Sequence, residues 1–328
     1  MNYKRDLFSQ IQANRTRTKY IMVMFAIVTA FFGGVFGYVY WLTGGQDYND
    51  APTYNVFMGA IVMLIIGAIY SLIMMHSSIN IVMAMNHGTE IHDRKVCPVL
   101  WDSVNNMAIA AGLPMPRVFI INDPSPNAFS IGNDPGHSAI GATAGLLNSM
   151  NQYEIEGVVG HEMSHIKDHD TQVETVGVAL TTIFSFIGGL LWNLCYDFSF
   201  FDWIADDDND DNDDDNDNSG AALIAIGLVL CLVSWLCTGL AYLIQMALSR
   251  NREYLADAGS VDLTRNPDEL IDALASLENV PAMKAANPAS NCLYITNPHP
   301  SKHSLLNLFD THPPLADRIR RLEMMKGE

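Results

Sequence analysis

Long apolar runs alternate with polar segments along the chain, and four of the runs are long enough to cross a membrane. Residues 20–42 hold no charged side chain over 23 positions. As a helix this run extends about 35 Å, more than the hydrocarbon thickness of about 30 Å. Runs of similar character occupy residues 56–75, 176–196 and 221–249. The pattern therefore predicts four transmembrane helices rather than four buried helices of a soluble core.

The polar sequence falls into two blocks, residues 77–173 and residues 250–328, separated by the third and fourth apolar runs. Their patterns predict short strands at residues 117–122, 127–131 and 138–142. Helices are predicted at residues 98–111, 143–150, 151–169, 251–263, 267–277 and 314–326. We therefore expect the two blocks to form one mainly helical α+β domain, combined with the four transmembrane helices.

Basic residues are distributed unevenly around the apolar runs, in a protein in which only 16% of residues are charged. Residues 1–19 form a basic tail, and basic residues also follow the second and fourth runs, whereas residues 199–220 contain none. By the positive-inside rule, both termini and the block at residues 77–173 are predicted to lie in the cytoplasm. The loop at residues 199–220 is then extracytoplasmic.

This loop carries much of the formal net charge of −18, since ten aspartates lie between Asp202 and Asp217. The run lacks the central glycine and the terminal glutamate of a calcium-binding EF-hand loop. A solvated loop is the favoured interpretation, with calcium binding as the alternative. Nothing in the charge pattern indicates nucleic acid as a partner.

The segment His161-Glu162-Met163-Ser164-His165 carries the clearest chemical signal. On a helix, residues four apart share a face, so both imidazoles can bind one metal ion. Glu162 is then placed to act as a general base on a water molecule. A catalytic zinc site usually has three protein ligands, so the sequence must provide another.

Two candidates for the third ligand follow this segment. His169 lies one further turn along, but a helix does not easily wrap three successive turns around one ion. Thr171 stands where a metzincin has its third histidine, which excludes that class. Glu253 is the better candidate because it begins a predicted helix after the fourth run, and Asp257 on the same face can orient a ligating imidazole. The alternative interpretation of Glu253 and Asp257 is an ordinary solvated helix face.

The chain resembles the HtpX-type membrane metalloproteases, which are relatives of the CAAX prenyl proteases. The resemblance is carried by the segment 161–165, the predicted transmembrane hairpin after it, and Glu253-Tyr-Leu-Ala-Asp257. The resemblance extends to Asn127-Ala128-Phe129, to Gly145-Leu-Leu147, and to the C-terminal Thr311-His312-Pro-Pro314 with Arg318. It implies a zincin-like (gluzincin) endopeptidase of the bacterial cytoplasmic membrane, with one zinc ion per subunit. The implied substrates are misfolded or damaged membrane proteins or other unfolded polypeptides.

Further roles are expected on the same basis. The resemblance places His312 and Arg318 at the rim of the site, where they would act on the oxyanion. Asn127, Ala128 and Phe129 are expected to begin an exposed edge strand that pairs with an extended substrate, with an ordinary buried strand as the alternative. Because both metal-binding helices adjoin apolar runs, the zinc is expected close to the cytoplasmic surface of the lipid bilayer.

Two other functions remain open at this point. A CAAX-type prenyl-peptide protease shares the zinc chemistry but cuts short C-terminal peptides, and it typically has more than four membrane spans. A non-proteolytic, metal-dependent membrane scaffold is the second alternative. Glu162 argues against the scaffold, because catalysis requires this carboxylate and metal binding does not.

Overall fold

The computed structural model of the protein describes residues 3–42, 52–197, 252–278, 280–284, 286–298 and 312–326, together with residues 231, 232, 234–236 and 239. The helices are α1 (Tyr3–Leu42), α2 (Thr53–Met85), α3 (Pro98–Ala111), α4 (Ala144–Ser149), α5 (Gln152–Lys167), α6 (Asp170–Asp197), α7 (residues 252–264), α8 (Pro267–Ser276) and α9 (Leu315–Met325). The strands are β1 (Gly88–Ile91), β2 (Arg117–Ile121), β3 (Ala128–Asp134) and β4 (His137–Thr143), and Pro288–Leu293 is a 3₁₀ helix. The architecture is mainly helical α+β, as predicted.

The predicted elements of the polar blocks match these bounds within one to three residues at each end, and local signals account for several of the ends. Helix α3 begins with Pro98 and ends at Gly112, whose φ of 69° is readily adopted by glycine. Asn151 caps α5 in a reciprocal pair with Glu154. The sequence patterns did not indicate β1, which has only four residues.

The chain forms two compact units. The first consists of residues 1–20, 73–178 and 243–328, and it contains a four-stranded sheet of order β1-β2-β4-β3. Strands β2 and β4 are parallel, whereas the β1–β2 and β3–β4 pairs are antiparallel. One face of the sheet and helices α3, α5 and α8 enclose an apolar core that includes Val104, Ile140, Val158, Met163 and Leu274. Strand β3, at one edge of the sheet, carries a residue that contacts α5 directly.

The second unit comprises residues 21–72 and 179–242, and within it α1 and α2 approach each other through glycines. A Cβ atom added at Gly33 would lie 2.3 Å from the carbonyl oxygen of Gly59, so only glycine permits this backbone contact. Gly37 follows four residues after Gly33, on the same helical face, and its added Cβ would lie 1.9 Å from the carbonyl oxygen of Asn55. Close approach at small residues is typical of helix pairs in membranes.

Helix α2 is long and apolar enough to cross a membrane, the one described helix of which this is true, and residues 22–38 of α1 form a shorter apolar stretch. The third predicted span, residues 176–196, falls within α6. The fourth, residues 221–249, lies outside the described residues except for six isolated positions, as does the acidic loop at residues 199–220.

Candidate metal centre

Helix α5 brings His161 and His165 onto one face, as their spacing predicts. Both residues are buried, and their Nε2 atoms lie 3.2 Å apart. The two rings are nearly perpendicular, with an interplanar angle of 89°. A close approach of two imidazole nitrogens is unfavourable when both are protonated, but it suits two ligands that share one cation.

Glu253, near the start of α7, completes the cluster. Its Oε2 atom lies 3.6 Å from His161 Nε2, and its Oε1 atom lies 3.6 Å from His165 Nε2. One ligand atom from each residue falls within 4.8 Å of the others, and this is the one such cluster among the described residues. Glu253 is therefore the residue that joins the two histidines, and His169 is not part of the cluster.

The spacing of these atoms fits a small divalent metal. Nitrogen and oxygen ligands about 2.0–2.2 Å from zinc, at tetrahedral angles, stand about 3.3–3.6 Å from one another. The observed separations of 3.2 and 3.6 Å agree with that geometry. In addition, Glu253 Oε2 is buried without a hydrogen-bond partner among the described residues, although Arg318 Nη1 lies 3.6 Å away, so this oxygen is available to bind a metal.

The Nδ1 atom of each histidine lies next to an aspartate, and each aspartate is paired with an arginine. His161 Nδ1 lies 3.0 Å from Asp257 Oδ1, as expected from the position of Asp257 on α7. Arg318 donates to both oxygens of Asp257, over 2.6 and 2.9 Å, and to the carbonyl oxygen of Ile295 over 2.9 Å. The neutral tautomer with its proton on Nδ1 would direct the Nε2 lone pair of His161 towards the cluster.

The corresponding contacts of His165 were not predicted from the sequence. Its Nδ1 atom lies 3.0 Å from Oδ2 of Asp170, the first residue of α6. Arg252 lies behind Asp170, with Nη1 3.5 Å from Asp170 Oδ1 and Nη2 3.6 Å from Glu174 Oε1. Spacing in the sequence gives no signal for this arrangement, since the aspartate is the fifth residue after the histidine and the two lie on different helices.

The charges in the cluster shift its acid–base equilibria. Burial alone would raise the pKa of Glu253, but His312, His161, His165 and Arg318 hold that pKa well below its ordinary value. Burial would lower the pKa of His165, yet its hydrogen bond to Asp170 and the surrounding carboxylates raise that pKa to about 10. The side chains together thus form a buried site in which the negative charge of carboxylates attracts a cation.

Glu162 lies beside the cluster on the next position of α5, and it is 1% exposed. Its Oε2 atom accepts a hydrogen bond of 2.7 Å from the hydroxyl of Ser130 on β3. Its Oε1 atom has no hydrogen-bond partner among the described residues. The carboxylate is therefore fixed at one oxygen and free to interact at the other.

A role of Arg318 towards the oxyanion stays a prediction, but its expected place at the rim of the site is wrong. Its side chain is fully buried and donates to Asp257. It also lies beside the ligands, with Nη2 3.3 Å from His161 Nδ1 and Nη1 3.6 Å from Glu253 Oε2. The reason is that α9 packs into the core through Arg318 and Leu322 rather than through an apolar pair. His312 also lies near the ligands, with Nε2 4.0 Å from Glu253 Oε1, and burial lowers its pKa to about 4.

Asn127, Ala128 and Phe129 are not exposed either, which contradicts the expectation of an open edge at these residues. All three are buried, because the chain's own residues 294–296 lie along this part of β3. Ile295 donates its backbone N–H to the Ala128 carbonyl oxygen over 2.9 Å, and the Phe129 and Tyr294 rings pack edge to face at 4.8 Å. The Asn127 side chain donates to the Thr296 carbonyl oxygen over 3.0 Å.

Comparison with known proteins identifies similar sequences over almost the whole chain. The profile of Peptidase family M48 matches residues 98–326. The protein described as protease HtpX homolog of Levilactobacillus brevis is 43% identical over 319 residues, which cover 97% of this chain and all of the relative. Proteins with the same description from Lactiplantibacillus plantarum and Leuconostoc mesenteroides are 44% and 45% identical, again over 97% of this chain and their full length.

One solved structure that matches this chain is the crystal structure of S. mikatae Ste24p. It matches 98% of this chain with 20% sequence identity and a TM-score of 0.44. The chain spans 65% of the length of that protein.

Proposed function

The chain belongs to peptidase family M48, among the HtpX homologues, and is a membrane metallopeptidase. We propose that it is a zinc-dependent endopeptidase that cleaves exposed segments of misfolded or damaged membrane proteins. His161, His165 and Glu253 hold the metal, and Glu162 is the general base.

The observation that carries the proposal is the state of the Glu162 carboxylate. A buried carboxylate oxygen without a partner costs free energy, and such a group calls for an explanation. A structural role would be better served by pairing both oxygens, as Asp257 does with Arg318. A free oxygen next to three metal ligands is what a general base needs in order to reach a water molecule.

Two neutral imidazoles and one carboxylate are the ligand set of many catalytic zinc sites, which supports zinc over the harder cations that prefer oxygen alone. A bound zinc ion would act as a Lewis acid and make water a stronger acid in this site. Asp257 and Asp170 hold the two histidines in the tautomer that this binding requires.

In the proposed reaction Glu162 takes a proton from the attacking water and later delivers it to the leaving amine nitrogen. The Ser130 hydroxyl holds Glu162 Oε2, so that Oε1 faces the reacting groups. His312 is the candidate for stabilising the oxyanion. Because burial lowers its pKa to about 4, it is neutral at physiological pH and acts by donating one hydrogen bond.

The apolar helices support membrane proteins as the substrate class. Helix α2 is of spanning length, and α6 begins three residues after the end of the helix that bears the two histidines. We propose four membrane spans at residues 20–42, 56–75, 176–196 and 221–249, with both termini and the metal site on the cytoplasmic side. A site close to the bilayer surface would reach segments of membrane proteins that emerge from it.

The test uses the purified full-length protein in detergent with two substrates, unfolded casein and a prenylated peptide. Mass spectrometry of the products should show internal cleavage of casein that a chelator abolishes and that one equivalent of zinc restores. Cleavage confined to the prenylated peptide would overturn the proposed substrate class. Glu253→Ala should lose the metal as well as activity, while Glu278→Ala, at an exposed position of the same block, should keep both.

A further inference from the structure

Asp170 occupies a position that joins the two helices flanking the metal cluster. It is 3% exposed and lies five residues after His165 in the chain. Between them His169 adopts a φ of 60°, a left-handed conformation that separates the end of α5 from the start of α6. Helix α6 therefore begins with Asp170 directed at His165 rather than away from it.

The two oxygens of Asp170 have different partners. Oδ2 lies 3.0 Å from His165 Nδ1, and Oδ1 lies 3.5 Å from Arg252 Nη1. Arg252 is buried and immediately precedes the ligand Glu253. The Asp170 carboxylate thus connects the ligand His165 to helix α7, which provides the ligand Glu253.

The arrangement has the same chemistry as the one around His161. There a buried aspartate, Asp257, accepts from the Nδ1 side of the ring, and a buried arginine, Arg318, compensates its charge. A carboxylate in this position fixes the ring orientation, selects the tautomer with a free Nε2 lone pair and makes that nitrogen a stronger ligand. An aspartate without a counter-charge would be too costly to keep ionised when buried, which explains the arginine.

We propose that Asp170 is a positioning residue for the metal ligand His165, and that Arg252 pairs with Asp170 and holds its carboxylate in place. It acts through His165 and does not itself touch the metal or the substrate. The inference rests on the proposed metal site. It adds a second carboxylate–histidine pair, provided by the first residue of α6, to the one formed by Asp257.

A purely structural role for Asp170 is the competing explanation. An acidic residue in the first turn of a helix is stabilising by itself, through the helix dipole and the free backbone N–H groups. That role would lower the stability of an Asp170 variant but would not depend on His165. The experiment must therefore measure metal affinity and test its dependence on that histidine.

The test compares the full-length wild-type protein with Asp170→Asn, in detergent, by competition with a chromophoric zinc chelator. We expect the zinc affinity of Asp170→Asn to fall about 10–100-fold, and the absorption bands of the cobalt-substituted protein to shift. Asp262→Asn is the matched control, since this partly exposed aspartate forms ion pairs with Lys167 and Arg265 and none with the metal cluster among the described residues. It should bind zinc as the wild type does.

The dependence on His165 is measured in a double-mutant cycle. In a His165→Ala background, Asp170→Asn should cause no further loss of affinity, whereas an independent structural effect would multiply with the first. Unchanged affinity of Asp170→Asn, or equal losses in both backgrounds, would overturn the positioning role.

If Asp170→Asn does not fold, Arg252→Lys serves instead, with a smaller loss of affinity expected in the same direction. A wild-type protein that binds no zinc would instead refute the metal site itself, and with it this inference.

Discussion

Asp170 and His165 lie 3.0 Å apart through Oδ2 and Nδ1, although they belong to different helices. Helix α5 ends before His169, whose φ of 60° is unusual for a residue other than glycine, and α6 begins at Asp170. His169 therefore does not continue the face of α5 that bears the two histidine ligands. A feature of the backbone therefore decides both which residue orients a ligand and which candidate ligand is excluded.

Arg318 is expected to contribute mainly to stability and to metal binding. Arg318→Ala would leave Asp257 buried without its guanidinium partner, and breaking such a pair costs about 3–5 kcal/mol. We predict a lower thermal unfolding midpoint and weaker zinc binding. Arg320→Ala is the control, because Arg320 is exposed on the same helix and its pair with Asp317 contributes at most about 1 kcal/mol. A wild-type unfolding midpoint with reduced kcat would instead support the oxyanion role.

Gly160 is predicted to set the distance between α5 and α7, and hence the position of Glu253. A Cβ atom at this position would lie 2.8 Å from the Ser260 hydroxyl, which donates to the Gly157 carbonyl oxygen over 2.7 Å. Gly160→Ala should lower stability by about 1–3 kcal/mol through overpacking, and should weaken zinc binding. These effects are measured by thermal unfolding and chelator competition.

Removing the hydroxyl provides the control for Gly160. Ser260→Ala alone should cost only about 1 kcal/mol, the value of one hydrogen bond. Combined with Gly160→Ala it should restore part of the lost zinc affinity, because the space for the new methyl group is then available. The account of the helix contact is wrong if the double variant binds zinc no better than Gly160→Ala.

The site residues that could be predicted from the sequence are those that share one helix. His161, Glu162 and His165 follow from a spacing of four, and Glu253 with Asp257 follows from the same spacing on α7. Asp170 could not be predicted, because its place depends on one backbone angle at His169. The burial of Asn127 depends on residues 294–296, which pack there only in the folded chain.

In the fold, too, local features could be predicted from the sequence, whereas features that depend on distant segments could not. Capping signals and apolar periodicity predict α3, α5 and α8 with nearly the observed bounds, since these are local properties. Strand β1 is recognisable only through its pairing with β2, in which Glu90 binds Arg117 across the strands. Pairing between distant segments is decided by packing and leaves little trace in four residues.

Ser130 is predicted to restrict Glu162 during catalysis. Ser130→Ala would remove the 2.7 Å hydrogen bond to Glu162 Oε2 and leave the carboxylate free to rotate. If the bond is worth about 1 kcal/mol in the transition state, kcat should fall roughly fivefold. KM and zinc content should not change, and Ser149→Ala, at a more exposed serine of α4, should behave as the wild type. An unchanged kcat would show that Ser130 does not assist the base.

The pair of Glu90 and Arg117 should make a small part of the stability sensitive to acid. The hydrogen bonds from Arg117, over 2.7 and 2.5 Å, hold the pKa of Glu90 below its ordinary value of 4.5. Because the folded-state value is the lower one, the stabilisation is present above about pH 4.5 and is lost as the pH falls through the folded-state pKa. Since both side chains are partly exposed, it amounts to at most about 1 kcal/mol.

Thermal unfolding at several pH values checks this prediction. Glu90→Gln should be less stable than the wild type at pH 6, and the difference should shrink as the pH falls through the folded-state pKa of Glu90. A difference that stays constant over this range would mean that the charge of Glu90 does not contribute.

The role of Glu162 as the general base is tested by the substitution Glu162→Gln. Glutamine keeps the size of the side chain and can still bond to Ser130, but it cannot take a proton from water. We predict one zinc ion per chain, as in the wild type, together with a fall in casein cleavage of about 10²–10⁴-fold. Zinc content and cleavage are measured on the same purified sample. Full cleavage by a zinc-loaded Glu162→Gln protein would contradict the assignment of Glu162 as the base.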